Sequence, residues 1–146
     1  MGEALKEAAC ALEKGEIPVG AVIVRKGAIV SRAHNTRESA KNALGHAEIT
    51  AIDLACRALG GWRLWECDLY VSLEPCAMCA GAIVNSRIRK VFWGADDPKA
   101  GAFGGKLQLN ELGLCHKPLL QGGLLADESA LLLQEFFQSL RSKPKK

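Results

Sequence analysis

Asp68-Leu69-Tyr70-Val71-Ser72-Leu73, then Glu74-Pro75-Cys76-Ala77-Met78-Cys79-Ala80-Gly81-Ala82-Ile83-Val84-Asn85, then Arg87-Ile88-Arg89-Lys90-Val91-Phe92-Trp93 follow one another almost without interruption. The first block reads as a strand of alternating and apolar residues. Pro75, with its fixed φ and missing N–H, marks the start of a helix that carries Cys76 and Cys79 and runs to about Asn85. The third block, Arg87 to Trp93, is another strand. A strand, a helix of roughly ten residues and a strand make a βαβ unit, so the two strands are expected to pair in parallel through a right-handed crossover. Open α/β sheets hold ligands at the carboxyl ends of their strands, which is where this unit has its two cysteines.

On a helix, the spacing of Cys76 and Cys79 turns both sulfurs to one face, within reach of a single ion. Upstream stands His46-Ala47-Glu48. One histidine and two thiolates form a ligand set that suits zinc and leaves a fourth position for a water, whose pKa falls to roughly 7 when bound. Zinc is therefore the expected cofactor, one ion per chain, held by His46, Cys76 and Cys79. A purely structural site would need a fourth protein ligand. Cys10, Cys56, Cys67 and Cys115 are isolated, His34 and His116 lie far off in sequence, and there is no second close-spaced pair. Glu48 is a carboxylate beside the ligands that is not itself needed to complete them, although the first turn of a helix favours a glutamate in any case.

Working outward, Ala4, Leu5, Ala8, Ala9 and Leu12 make a helical stripe that ends at Gly15, and Ile17 to Val24 reads as a β-branched strand. Lys26-Gly27 looks like a hairpin turn into Ala28 to Ala33. After a loop from His34 to Asn42, Leu44 to Leu59 has helical periodicity and stops at Gly60-Gly61, which places His46 and Glu48 in its first turn. Residues two apart point about 200° away from each other on a regular helix, so only at a helix start could both address one site. Beyond Trp93 come a glycine-rich loop from Gly94 to Gly105, a short helix over Leu107 to Leu112, a short strand over Lys117 to Gln121 and an amphipathic helix from Ala126 to Leu140. The expected architecture is α/β, with helices on both faces of a mixed sheet of about five strands.

The 146 residues are the size of one domain, and 49% hydrophobic with 24% charged residues is an ordinary globular balance. No apolar run approaches the length of a membrane span. Glu3 and Glu7 stand where a signal peptide would be basic and then apolar, and six cysteines without framework spacing fit a reducing compartment. A cytoplasmic protein is expected. A net charge of +3 permits a nucleic-acid partner without requiring one. Basic residues cluster at Arg87-Arg89-Lys90, just after the cysteine helix, and at Arg141-Lys143-Lys145-Lys146. Arg87 and Lys90 are accordingly candidate RNA contacts, against the plain alternative of a solvated connection.

His46-Ala47-Glu48 with Pro75-Cys76-Ala77-Met78-Cys79 resembles the signature of the cytidine-deaminase-like superfamily of zinc nucleobase deaminases, and more narrowly that of the bacterial tRNA adenosine deaminases, which convert the wobble adenosine to inosine. The likeness covers nearly the whole chain. It includes Ile17-Pro18-Val19-Gly20-Ala21-Val22, Asn35, Leu73-Glu74, Ala80-Gly81-Ala82, Ser86-Arg87-Ile88 and Leu125-Ala126-Asp127-Glu128. It implies a three-layer α/β/α fold in a zinc deaminase domain over residues 1–141, followed by a basic tail over 142–146. It also implies zinc on His46, Cys76 and Cys79, proton transfer by Glu48, a hydrogen bond from Asn35 to the target nucleoside, and Ala47 and Pro75 beside it. A tRNA anticodon stem-loop would be the partner, and a homodimer the assembly.

One departure stands out. Where the family's glycine loop usually reads Gly-Ala-x-Gly-Ser, this chain has Gly101-Ala102-Phe103-Gly104-Gly105-Lys106. Phe103 is either a packing side chain or a stacking surface for a splayed base, and the glycines around it favour packing. Trp62 and Trp65 read as interface or core aromatics. Two other functions remain to be weighed: a small-molecule deaminase of the same superfamily, acting on guanine, cytosine or a free nucleoside, and a non-catalytic zinc module. A shuttle carboxylate would be idle in the latter. The helix and lysine-rich tail at the end of the sequence favour RNA over an enclosed pocket for a free base.

Overall fold

The structure is a computed structural model and describes residues 1–142. Of the expected basic tail, all but Ser142 lies outside the described residues. In chain order the elements are α1 (Gly2–Glu13), β1 (Gly20–Arg25), β2 (Ala28–His34), α2 (Ala47–Leu59), β3 (Cys67–Leu73), α3 (Ala77–Asn85), β4 (Lys90–Ala95), a one-turn 3₁₀ helix (Leu109–Glu111), β5 (Leu119–Gln121) and α4 (Ala126–Ser142). One five-stranded sheet has the order β2-β1-β3-β4-β5. β1 is antiparallel to both β2 and β3, whereas β3, β4 and β5 are parallel. The sheet is mixed, as expected, and β3–α3–β4 is the parallel unit at its centre.

Helices cover both faces. α1 packs against β1 and touches α4, and α2 packs against β1 and β2 and touches α3. Small side chains make the close approach possible: Ala47, Ala51 and Ala55 recur every four residues on α2 and are fully buried, as are Ala4 and Ala8 on α1. Between the layers lie Ile23, Leu69, Val71, Ile83, Ile88 and Val91, each fully buried. The β1–β2 hairpin turns at Lys26 (φ 51°) and Gly27 (φ 78°). Two successive positive φ values are what a two-residue hairpin requires, because they match the twist of the flanking strands.

Several expected boundaries move: the short strand before α4 begins at Leu119 rather than Lys117, the short helix shrinks to Leu109–Glu111, and three other starts shift for a clear local reason. α2 begins at Ala47 rather than Leu44, because Leu44 and Gly45 are held in a turn on Asn42 and His46 is extended (φ −85°, ψ 145°). β1 begins at Gly20 rather than Ile17, since the Val19 N–H bonds back to the Ile17 carbonyl across Pro18. β4 begins at Lys90 rather than Arg87, because Arg87 is left-handed (φ 65°) and Ile88 N–H returns to Ile83 O in the turn that ends α3.

Candidate active site

The extended backbone of His46 and of Cys76 makes the site possible. Each is the residue just before a helix, α2 and α3 respectively, and each is released from helical geometry. Cys76 (φ −74°, ψ 177°) therefore does not share a helix face with Cys79, as the spacing had implied. It stands at the mouth of α3 while Cys79 points from the first turn. Likewise His46 and Glu48 escape the opposed directions of two residues on one helix, because only Glu48 is helical.

His46 Nδ1 lies 3.6 Å from Cys76 Sγ and 3.5 Å from Cys79 Sγ, and the three ligand atoms all lie within 4.8 Å of one another. Tetrahedral zinc with bonds of about 2.3 Å to sulfur and about 2.0 Å to nitrogen requires S···N separations of roughly 3.5 Å. The donors fit that ion. Their electrostatics point the same way. A hydrogen bond from Cys79 draws the Cys76 thiol down to about 5, against burial, while the Cys79 thiol is pushed far up by that same partner and by burial. Two neighbouring thiolates are stable together only beside a cation.

Glu48 is buried, at 4% exposure, and loss of solvent pushes its carboxyl up to about 7, with its own backbone N–H pulling the other way. It borders a cleft of about 230 Å³ together with His46, Ala47 and Cys76. One wall of the cleft carries Asn35 and Arg37, the other Asp97 and Ala100, and Ile17, Val19 and Leu73 supply apolar surface. Asn35 is buried, and its Oδ1 accepts the Arg37 N–H at 3.0 Å. It is a turn residue and a cleft residue at once.

Two further glutamates shape the cleft and were not singled out in the sequence. Glu16 accepts backbone N–H groups from Glu38 (3.2 Å) and Ser39 (2.6 Å). Glu74 accepts them from Asp97 (3.0 Å), Phe103 (3.1 Å) and Gly105 (2.9 Å). The glycine-loop departure has a structural setting here. A Cβ at position 105 would meet Glu74 Oε1 at 2.7 Å and press on the Asp97 carbonyl, so the loop as folded admits only glycine. Phe103 packs, at 4% exposure, against Trp93 with ring centroids 6.1 Å apart.

The remaining expected contacts lie elsewhere. Pro75 is buried and its carbonyl takes the Ala102 N–H, tying the glycine loop to the cysteine segment rather than lining the cleft. Arg87 and Lys90 sit at the opposite end of the sheet. β3 meets the cleft at Leu73, whereas Lys90 pairs with Asp68 at the strand's start, some five residues or about 16 Å away. Arg87 follows α3 at the end away from Cys76 and donates to the Val84 and Asn85 carbonyls. Adjacency in sequence to the cysteine helix did not translate into adjacency to its ligand-bearing end. Trp62 and Trp65 are 48% and 53% exposed and so do not belong to the core.

Residues 1–95 match the family model described as the cytidine and deoxycytidylate deaminase zinc-binding region, and the chain belongs to this family of zinc-dependent deaminases. Within it, the chain is 51% identical to the tRNA-specific adenosine deaminase of Bacillus subtilis (strain 168), over 99% of this chain and 91% of that protein. A solved structure from studies of A-to-I editing by tRNA:A34 deaminases at the wobble position of transfer RNA superposes with a TM-score of 0.88. It is 45% identical and covers 91% of this chain and 97% of that one. The guanine deaminase from Bacillus subtilis is more distant, at 34% identity and a TM-score of 0.65 over 99% of this chain and 93% of that one.

Proposed function

We infer that this protein deaminates adenosine hydrolytically to inosine and ammonia at the wobble position of tRNA. The observation that carries the reading is the convergence of His46, Cys76, Cys79 and Glu48 on one cleft, in a chain that shares half its residues with a tRNA-specific adenosine deaminase along almost its full length. His46, Cys76 and Cys79 would hold zinc, which would supply an activated water at neutral pH. Glu48 would take the proton released as the C–O bond forms and deliver it to the ring nitrogen, then carry the proton of the new C6 hydroxyl to the amine as the C–N bond breaks, leaving the C6 carbonyl of inosine and free ammonia. Asn35 keeps an amide N–H₂ that is only weakly engaged, with Ile17 O at 3.4 Å, and is the residue available to orient the base. Ala47 closes the cleft beside it. Arg37, about half exposed, with its nearest carboxylate, on Glu38, 3.9 Å away, is the cation at hand for an RNA phosphate.

The small-molecule reading has the guanine deaminase likeness behind it, but both identity and superposition are greater for the tRNA enzymes. A homodimer is supported by exposed apolar side chains on and just after α2, where Leu54, Leu59, Trp62 and Trp65 are 42%, 37%, 48% and 53% exposed. No helix among the described residues is long and apolar enough to cross a membrane; a tRNA substrate would be met in the cytoplasm. The deciding experiment incubates the protein with one anticodon stem-loop and, separately, with guanine, cytosine and adenosine, and assays inosine and ammonia. Inosine from the stem-loop alone is the expected result. Equal turnover of a free base or nucleoside would move the protein to the small-molecule branch.

A further inference from the structure

We propose that Glu16 and Glu74 are positioning residues, a pair of buried clamps that hold the two rims of the cleft at a fixed opening and so set how well the substrate fits. The choice of RNA as that substrate rests on the reading above. Both side chains are almost fully buried, at 1% and 3% exposure. A buried carboxylate is an acceptor only and must be given donors. Among the described residues, each of these takes them from a rim loop and from nowhere else. Glu16 uses both oxygens on residues 38 and 39, directly after Asn35 and Arg37, which face the cleft. Glu74 uses its oxygens on residues 97, 103 and 105, the loop that brings Asp97 and Ala100 to the opposite wall.

Backbone donors in loops are otherwise satisfied by water, and a loop held only by water is free to move. Here five backbone N–H groups end on two fixed carboxylates. The second rim is tied further to the zinc-ligand segment, since Gly101 pairs with Cys76 as a β-bridge and the Ala102 N–H meets the Pro75 carbonyl. The approach is close enough that a Cβ at Gly101 would run into the Glu74 carboxylate. Three of Glu74's roughly four lone-pair sites are occupied, so it has little capacity left for a substrate proton. That separates it from Glu48, which accepts no hydrogen bond from either rim loop. The clamps act on fit, and Glu48 acts on protons.

The test compares Glu16→Gln, Glu74→Gln and Gly105→Ala with the parent protein. Glutamine keeps the shape but turns an N–H₂ group toward backbone N–H groups. Gly105→Ala leaves Glu74 intact and pushes the loop off it. Measured together are zinc content, kcat and KM on an anticodon stem-loop, and hydrogen exchange at the clamped amides. All three variants should keep one zinc per chain and kcat within about twofold, while KM rises about tenfold or more, the pattern of lost uniform binding. Exchange should quicken at residues 38 and 39 in Glu16→Gln, and at 97, 103 and 105 in the other two. Faster exchange with an unchanged KM would overturn the proposal, as would a fall in kcat at constant KM. Should Glu74→Gln fold poorly or lose zinc, Gly105→Ala and Glu16→Gln decide. If the parent protein deaminates guanine and not the stem-loop, the RNA reading falls, and the clamps are judged by KM for guanine.

Discussion

The two ends of the β3–α3–β4 unit are built from the same kinds of residue and behave differently. At the amino end, Arg89 grips Asp68 through two hydrogen bonds of 2.9 and 2.8 Å in open solvent, Lys90 rests over the Phe92 ring at 4.6 Å, and Arg87 folds back on α3. Cys67 is fully buried there, burial pushes its thiol up, and among the described residues it belongs to no group of three metal-ligating side chains. At the carboxyl end, two thiols face a histidine and a buried carboxylate across a cleft. Residue type alone does not make chemistry. Desolvation in the company of unlike groups does, because it perturbs several protonation states together and creates a demand for a cation.

The most direct way to break this contrast is to remove a thiol from each end. Cys76→Ala or Cys79→Ala should take zinc from one per chain to none, measured by metal analysis, and activity to background. Cys67→Ala should keep both and lose only packing, about 1 kcal/mol of stability. Equal zinc content in the three variants would end the assignment. Next in size is Glu48→Gln, in which the amide keeps the shape but cannot carry protons. Zinc should remain bound while kcat falls by at least 10² to 10⁴, the usual range for a general acid/base. Near-normal turnover would give Glu48 another role.

What the sequence made legible follows from range. The βαβ unit, the mixed sheet and the His-Cys-Cys group rest on local period and on spacing within one unit, and these appear in the structure as expected. The position of His46 outside α2 did not show, because a helical stripe of apolar residues continues through Leu44 while the turn on Asn42 is set by a side-chain hydrogen bond. The distance of Arg87 and Lys90 from the cleft did not show for a related reason. Nearness in sequence to a helix says nothing about which of its ends the chain has reached. Glu16 and Glu74 were invisible as clamps because their partners are backbone groups about 20 to 30 residues away, with no side-chain signature. Only glycines at 101 and 105 hinted that something approached closely.

A subtler comparison sets the cations of the two ends against each other. Arg37 is at the cleft and Lys90 is not. Arg37→Ala should raise KM for the stem-loop about tenfold and lower the slope of log affinity against log salt by about 0.7, as expected for one lost phosphate contact on a single strand. Lys90→Ala should leave the slope as it was. Binding titrations at several salt concentrations read both. A loss of slope in Lys90→Ala equal to that in Arg37→Ala would mean that RNA reaches the far end of the sheet.

The smallest effect is expected from Arg89→Ala, and it tests whether the two ends are independent. The pair with Asp68 has good bidentate geometry, but the arginine side chain is 58% exposed, and solvent screens most of what such a pair contributes. The strands beneath it do not rely on the pair, because β3 and β4 are joined by a backbone ladder from Asp68–Lys90 to Leu73–Ala95. Melting temperature should therefore move little, and added salt should narrow even that difference, since it weakens the pair in the parent protein alone. Zinc content, kcat and KM should be those of the parent, because the perturbation sits about 16 Å along the strand from the cleft and the intervening core of Leu69, Val71 and Val91 is fully buried and unchanged. A measurable fall in kcat would show that strain at the amino end reaches the ligand-bearing end through that core.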